Sequence, residues 1–187
     1  MKKLFLLLLL VSLVTFLFVG CLPVTPSEGE GEGEGEMDVI INGDFETCDF
    51  TGWTVTTDSS FPQIFYTDDC VAYMGDGASG LSEGGITNTA SIQQTFYIPA
   101  DAVNPLLKLY YYVVGTDSDG EGYDWMKVDI NNSEILYVWS DSVGWQLFQC
   151  DLSAYTGTFI DLKIKAWTDD SISSVDYYVD GITVTWD

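Results

Sequence analysis

The sequence predicts an all-β domain, an antiparallel β-sandwich of the jelly-roll kind. Three observations predict it. Apolar and polar residues alternate with a period of two through nearly all of residues 37–187. Aromatic and β-branched residues fill the alternating runs. Clusters of Gly, Asn, Asp and Ser, such as "GTDSDGEG", "INNSE" and "SDSVG", separate the runs as turns do. No segment after residue 37 has a 3.6-residue period, so no significant helix is expected there, and no internal repeat occurs. The strands are expected near 39–42, 53–57, 62–66, 71–74, 90–98, 105–115, 123–131, 134–139, 144–152, 158–167 and 174–186. A domain of this length buries roughly two-thirds of its unfolded surface.

What precedes the domain has a different logic. Lys2 and Lys3 are followed by an almost wholly apolar run from Leu4 to Val19, then Gly20 and Cys21. A positive start, an apolar centre and a small residue at the cut make a secretory signal over 1–20, too short for a comfortable membrane span. "FVGC" resembles the lipobox of bacterial lipoproteins, with Phe18 where leucine is usual. The resemblance implies lipidation at Cys21 and anchoring in the cell envelope, the domain facing the periplasm or the exterior. The competing reading is an uncleaved anchor helix. Residues 22–36 include "SEGEGEGEGE", which has no apolar residue to bury and repels itself, so 21–36 reads as a lipidated cysteine and a disordered tether. Fully stretched, the tether reaches about 50 Å.

Charge narrows the function classes. The chain of 187 residues has 29 acidic residues, six lysines, and neither arginine nor histidine, for a net charge of −23. Outside the leader the only lysines are Lys108, Lys127, Lys163 and Lys165. A nucleic-acid partner is excluded, because affinity for a phosphate backbone comes from lysine and arginine. Absence of histidine excludes Ser-His-Asp and Cys-His catalysis and H-E-x-x-H zinc sites. Paired carboxylates could hydrolyse a glycosidic bond, but among so many acids no pair stands out. "GDGASG" at Gly75–Gly80 matches G-x-G-x-x-G, yet no helix follows to receive a phosphate and Asp76 would repel one. The chain reads as a non-enzyme. Cys48 and Cys70, in polar stretches, suit a disulfide in an oxidising compartment, whereas Cys150 keeps register with Gln146, Phe148 and Leu152 and reads as a buried thiol.

The order of "NGDFE", "GW", "VAYMGDG", "SIQQTFYIPAD", "PLLKLYYYV", "YDWMKVDIN", "GWQLFQCDLSAYTG" and "YYVDGITV" resembles jelly-roll accessory domains of secreted bacterial proteins. This is a galactose-binding-like group that includes carbohydrate-binding modules and MAM-like domains. The resemblance spans about residues 38–186 and implies a sandwich that binds rather than catalyses. It also implies a structural Ca2+ joining first and last strands, with Glu46 and Asp180 as side-chain ligands and carbonyls near Asn42, Asp44 or Asp76 completing the shell. Gly181 departs from the second aspartate usual there. Strand parity supports the idea: Asp180 alternates with Tyr178, Ile182, Val184 and Trp186, which puts its carboxylate on the core side, a costly place for an unpaired charge. Oxygen donors without histidine favour Ca2+ over a transition metal. The bland alternative is a hydrogen-bonded aspartate at a sheet rim. "DSDGEGYD" offers Asp117, Asp119, Glu121 and Gly122 at EF-hand spacing, but Val128 stands where a bidentate glutamate belongs, so a hairpin loop is expected.

Alternation also nominates a ligand face. Leu107, Leu109, Tyr111 and Val113 face inward, leaving Lys108, Tyr110 and Tyr112 outward. Met126, Val128 and Ile130 leave Trp125, Lys127 and Asp129 outward. Leu162, Ile164 and Ala166 leave Asp161, Lys163, Lys165 and Trp167 outward. Tyr110, Tyr112, Trp125, Trp167, Lys127 and Lys165, with Trp139 in reserve, are therefore the candidate carbohydrate-binding residues. Ordinary cross-strand stabilisation would use the same residue types. The alternative function is a structural or adhesive lipoprotein that binds envelope proteins.

Overall fold

Runs that are apolar on one side and polar on the other produce sheets with one oily face, which two sheets bury against each other. The computed structural model describes residues 39–57, 63–66, 70–74, 88–115, 124–168 and 175–187. The leader, Cys21, the tether, Asp76, and the candidate loops at 75–80 and 117–123 lie outside the described residues. The strands are β1 (Thr54–Thr57), β2 (Gln63–Tyr66), β3 (Cys70–Tyr73), β4 (Asn88–Ile98), β5 (Leu106–Val114), β6 (Trp125–Ile130), β7 (Ser133–Val138), β8 (Gln146–Asp151), β9 (Thr158–Thr168) and β10 (Asp176–Thr185). Sheet one has the order β1-β4-β9-β6-β7 and sheet two β2-β3-β10-β5-β8. Every pairing is antiparallel. Among the described residues the single helical turn is a 3-10 turn, Ser153–Tyr155. The expected all-β sandwich is the observed architecture.

The core lies between the sheets. Ile92 and Ile98 of β4, Leu162 and Ile164 of β9, and Met126 and Val128 of β6 meet Leu107, Leu109, Phe148, Tyr177 and Val179 from sheet two, all buried. Each such aliphatic or aromatic side chain contributes about 1.5–3 kcal/mol by leaving water. Met126, Val128, Leu107 and Leu109 are the inward residues that alternation selects.

The expected strand at 39–42 is not formed. Residues 40–49 fold into successive turns, with Asn42, Phe45 and Cys48 at φ values of 52°, 53° and 55°. A strand cannot pass through that left-handed region. The turns put Phe45 into the core, against Phe50 at 6.0 Å and Trp53 at 5.8 Å. They dock on the last strand through Gly43, whose carbonyl accepts the Ile182 N–H at 2.9 Å. A Cβ on Gly43 would stand 1.9 Å from the Ile182 carbonyl oxygen, so only glycine allows this approach. Cys48 and Cys70 are joined by a disulfide, Cα–Cα 5.3 Å, tying the turns to β3. Cys150 is buried on β8, but no cysteine among the described residues is free, so the lone thiol expected there is not observed.

Candidate functional site

The six candidate residues of the ligand face divide between two surfaces. Tyr110 and Tyr112 belong to β5, on the outside of sheet two. Trp125, Lys127, Lys165 and Trp167 belong to β6 and β9, on the outside of sheet one. Alternation distinguishes outward from inward and is silent on which sheet a strand joins, so a single face was expected where two exist.

On sheet one the aromatic and basic groups satisfy one another. Trp125 sits opposite Trp167 in register, with ring centroids 6.1 Å apart and planes at 24°. Lys127 Nζ lies 4.8 Å above the Trp125 ring and 4.7 Å above Tyr137, and pairs with Glu134 at 2.7 Å. Lys165 Nζ pairs with the buried Asp129 carboxylate at 2.5 Å. A ligand stacking on Trp125 or Tyr137 would have to displace a lysine from the ring it sought. Trp139 follows β7, half-buried.

On sheet two the aromatic residues form a row across three strands and the loop before β8. Tyr73 and Tyr178 are 5.2 Å apart, Tyr178 and Tyr112 5.9 Å, and Tyr112 and Trp145 5.9 Å. The Tyr112 and Tyr178 planes are stacked at 26°, and the outer pairs are tilted by 39° and 44°, so the rings inside the row have neighbours on both sides. The face available to a ligand is therefore at the open end of the row, where Trp145 is 41% exposed. Its loop is clamped to β5: Ser142 Oγ accepts the Val113 N–H and donates to the Gly144 carbonyl, while the Ser142 N–H donates to Val113 O. At the far end the Tyr73 hydroxyl donates to Asp176 at 2.6 Å, which fixes that ring. Burial pushes the Tyr178 hydroxyl pKa up, and Asp176 and then Tyr112 add to the rise.

Beside the row stands Tyr110, also 41% exposed, opposite Asp180 on β10 and Leu147 on β8. Lys108, with Thr183 and Gln149 across from it, continues the surface. Trp145, Tyr178 and Tyr73 were not among the sequence candidates. Trp145 precedes its strand, and Tyr178 was assigned to the core side.

That last assignment is corrected by a bulge. Tyr177 and Val179 face the core, so Tyr178 and Asp180 face outward. The register then shifts between Asp180 and Thr183, with Gly181 at φ 55°, and Ile182 and Val184 return to the interior. Asp180 is thus half-exposed and is no buried charge in search of a metal. One of its carboxylate oxygens accepts the Gly181 N–H at 2.7 Å. Glu46 and Asp44 are exposed, and Asp44 accepts the Glu46 N–H at 3.3 Å. The Asn42 carbonyl already accepts the Trp53 indole N–H at 3.0 Å, and its side-chain oxygen accepts the Thr47 N–H. Among the described residues no three His, Cys, Asp or Glu side chains gather at metal-binding distance. Of the expected calcium donors, Asp44, Asn42 and Asp180 accept local hydrogen bonds, and Asp76 lies outside the described residues.

No protein-family model and no curated protein matches the chain. Among solved structures, a carbohydrate-binding module in complex with β-1,4-galactotriose aligns with a TM-score of 0.59 at 11% identity, over 81% of this chain and 99% of that one. A structure from work on promiscuous β-sandwich carbohydrate-binding modules aligns at 0.41 with 15% identity, over 75% and 60% of the two chains. A mannan-recognising carbohydrate-binding module aligns at 0.34 with 10% identity, over 82% and 96%. The domain therefore has the antiparallel β-sandwich fold seen in the galactotriose-bound module.

Proposed function

We propose that the domain is a non-catalytic carbohydrate reader whose ligand lies on the outside of sheet two, across Trp145, Tyr112 and Tyr110. The observation that carries this reading is the aromatic row with an open tryptophan end, flanked by Asp176, Asp180, Gln149 and Lys108. Sugar rings present apolar C–H faces that stack on aromatic rings, and their hydroxyls donate to carboxylates and amides. A site built this way selects hydroxyl-rich, uncharged chains, because the surrounding charge is acidic. The β-sandwich shared with a galactotriose-bound module supports the reading at the level of fold. The test is affinity electrophoresis of the full chain on soluble polysaccharides, galactans included. Retardation should fall with Trp145→Ala and Tyr110→Ala and be kept with Trp125→Ala and Trp167→Ala. Loss in the second pair alone would move the site to sheet one. Equal mobility of all variants on every polysaccharide would favour the adhesive, protein-binding reading.

We further propose that the reader is exported and held in the envelope by lipid on Cys21, with residues 22–36 as a spacer. The apolar leader ending at Cys21 and the glutamate-glycine stretch support this. Cys21→Ser should move the protein from the membrane fraction to the soluble fraction. Retention in the lipid phase would assign anchoring to the apolar helix instead.

A further inference from the structure

A second concave surface lies away from sheet two, at the outer edge of sheet one. Strand β1 pairs with β4 only from Ala90 to Gln93. Beyond that point, Gln94–Ile98 has no β1 partner, and the chain around Ile41 runs alongside instead. The side chain of Gln94 clips it there: its carbonyl accepts the Ile41 N–H at 2.8 Å and its amide donates to Ile41 O at 3.0 Å. Gly52, at φ 86°, lets the chain turn past; a Cβ there would lie 2.8 Å from the Ile41 Cβ. The result is a groove of about 700 Å3, lined among others by Ile41, Thr54, Gln93, Thr95, Tyr97 and Phe159.

Three features of the groove identify what fits it. Its volume lies in the range of small-ligand sites, roughly 300–1,000 Å3. Phe159 is 69% exposed and Tyr97 43%, their ring centroids 5.0 Å apart and their planes at 52°. Rings so tilted do not hide each other, and large aromatic faces left in water are costly unless something covers them. No lining residue is charged, in a chain with a net charge of −23. The polar groups are hydroxyls and amides. Thr95 is oriented by donating its hydroxyl to Asp161 at 2.5 Å, which leaves its lone pairs to accept. Aromatic walls, amides, a hydroxyl held by Asp161 and no charged lining residue match a neutral oligosaccharide.

We infer that this groove is a second carbohydrate site, for uncharged sugar chains, separate from the sheet-two surface. Two sites on one tethered domain make it bivalent, so weak individual contacts add by effective concentration when one polysaccharide reaches both. The experiment is a titration of the full mature chain in detergent micelles, following the Gln93 side-chain amide by NMR. The probes are cello-, xylo-, manno- and galacto-oligosaccharides up to about 20 mM, with oligogalacturonate as the charged control. A saturable shift with a neutral probe is expected, weakened about tenfold or more in Phe159→Ala and Tyr97→Ala, both at exposed positions, with an unchanged Tm of each variant showing that the fold is kept. Trp145→Ala and Tyr110→Ala should leave the shift unchanged even if they abolish binding at sheet two. Three results would overturn the second site: no saturable shift with any neutral probe, a shift surviving Phe159→Ala, or a shift lost in Trp145→Ala. A response to oligogalacturonate alone would overturn its neutral class.

Discussion

The two outer faces of this sandwich are built from similar residues and arrange them differently. Each presents aromatic rings in cross-strand register beside lysine and aspartate. On sheet one Lys127 and Lys165 lie over the rings of Trp125 and Tyr137, and Glu134 and Asp129 hold the two lysines within the surface. On sheet two the rings lean on one another in a row, no lysine among the described residues lies over the end ring, and Trp145 and Tyr110 are 41% exposed. The difference teaches that residue composition does not mark a binding face. What marks it is whether the groups are already spent on each other.

The largest stability effect expected concerns how sheet two is held. The Cys48–Cys70 disulfide closes a 22-residue separation and anchors β3, which carries Tyr73, to the turns that precede β1. Cys48→Ser with Cys70→Ser should destabilise the domain by about 3 kcal/mol. Hydrogen exchange should rise first at β3 and leave β6 and β9 protected; uniform loss of protection would deny that the two sheets are separately supported.

Next in size is Gly43→Ala. It forces a Cβ into the Ile182 carbonyl and should cost about 2–3 kcal/mol, as overpacking does, read by denaturant midpoint. Trp125→Ala removes a ring stack and a cation–π contact, about 1–2 kcal/mol together. That corresponds to a few degrees of Tm at about 2–4 °C per kcal/mol. Binding should be unaffected. Trp145→Ala should show the reverse, with binding at sheet two lost and Tm nearly unchanged. If both variants changed the same property, the contrast between the faces would fail.

The smallest effects are those of pH and metal. Tyr178 has a raised pKa, from burial first and then Asp176 and Tyr112. A raised value means the folded state holds that proton more tightly than the unfolded state. Its stabilising contribution is therefore complete below the ordinary tyrosine pKa near 10 and is lost as pH rises through the folded value. Tyrosinate absorbance should show a late-titrating component that shrinks in Tyr178→Phe, the remainder coming from Tyr111, whose pKa burial also raises. Chelation with EGTA should leave Tm within about 1 °C, since a bound ion would otherwise stabilise by mass action. A larger drop would show a calcium shell completed by donors other than those described.

Much of the architecture was legible in the amino-acid sequence, because a strand writes its burial into every second residue. Leu107 and Leu109, Met126 and Val128, and Leu162 and Ile164 could be assigned to the interior with no knowledge of their partners. The turns at 40–49 were not legible. Val39, Ile40 and Ile41 look like a strand, and only the left-handed backbone at Asn42 and the docking of Gly43 on Ile182 end it. Asp180 was assigned to the wrong side because one bulge at Gly181 inverts the parity of everything beyond it. Sequence alternation by itself determined which residues face in and which face out, since that depends on local backbone geometry and the preference of apolar groups for burial. Which outward residues share a surface was decided only by tertiary structure. Tyr112 joins Tyr178 and Trp145, and Trp125 joins Trp167, through pairings between strands dozens of residues apart, and such long-range contacts leave no periodic trace in the chain.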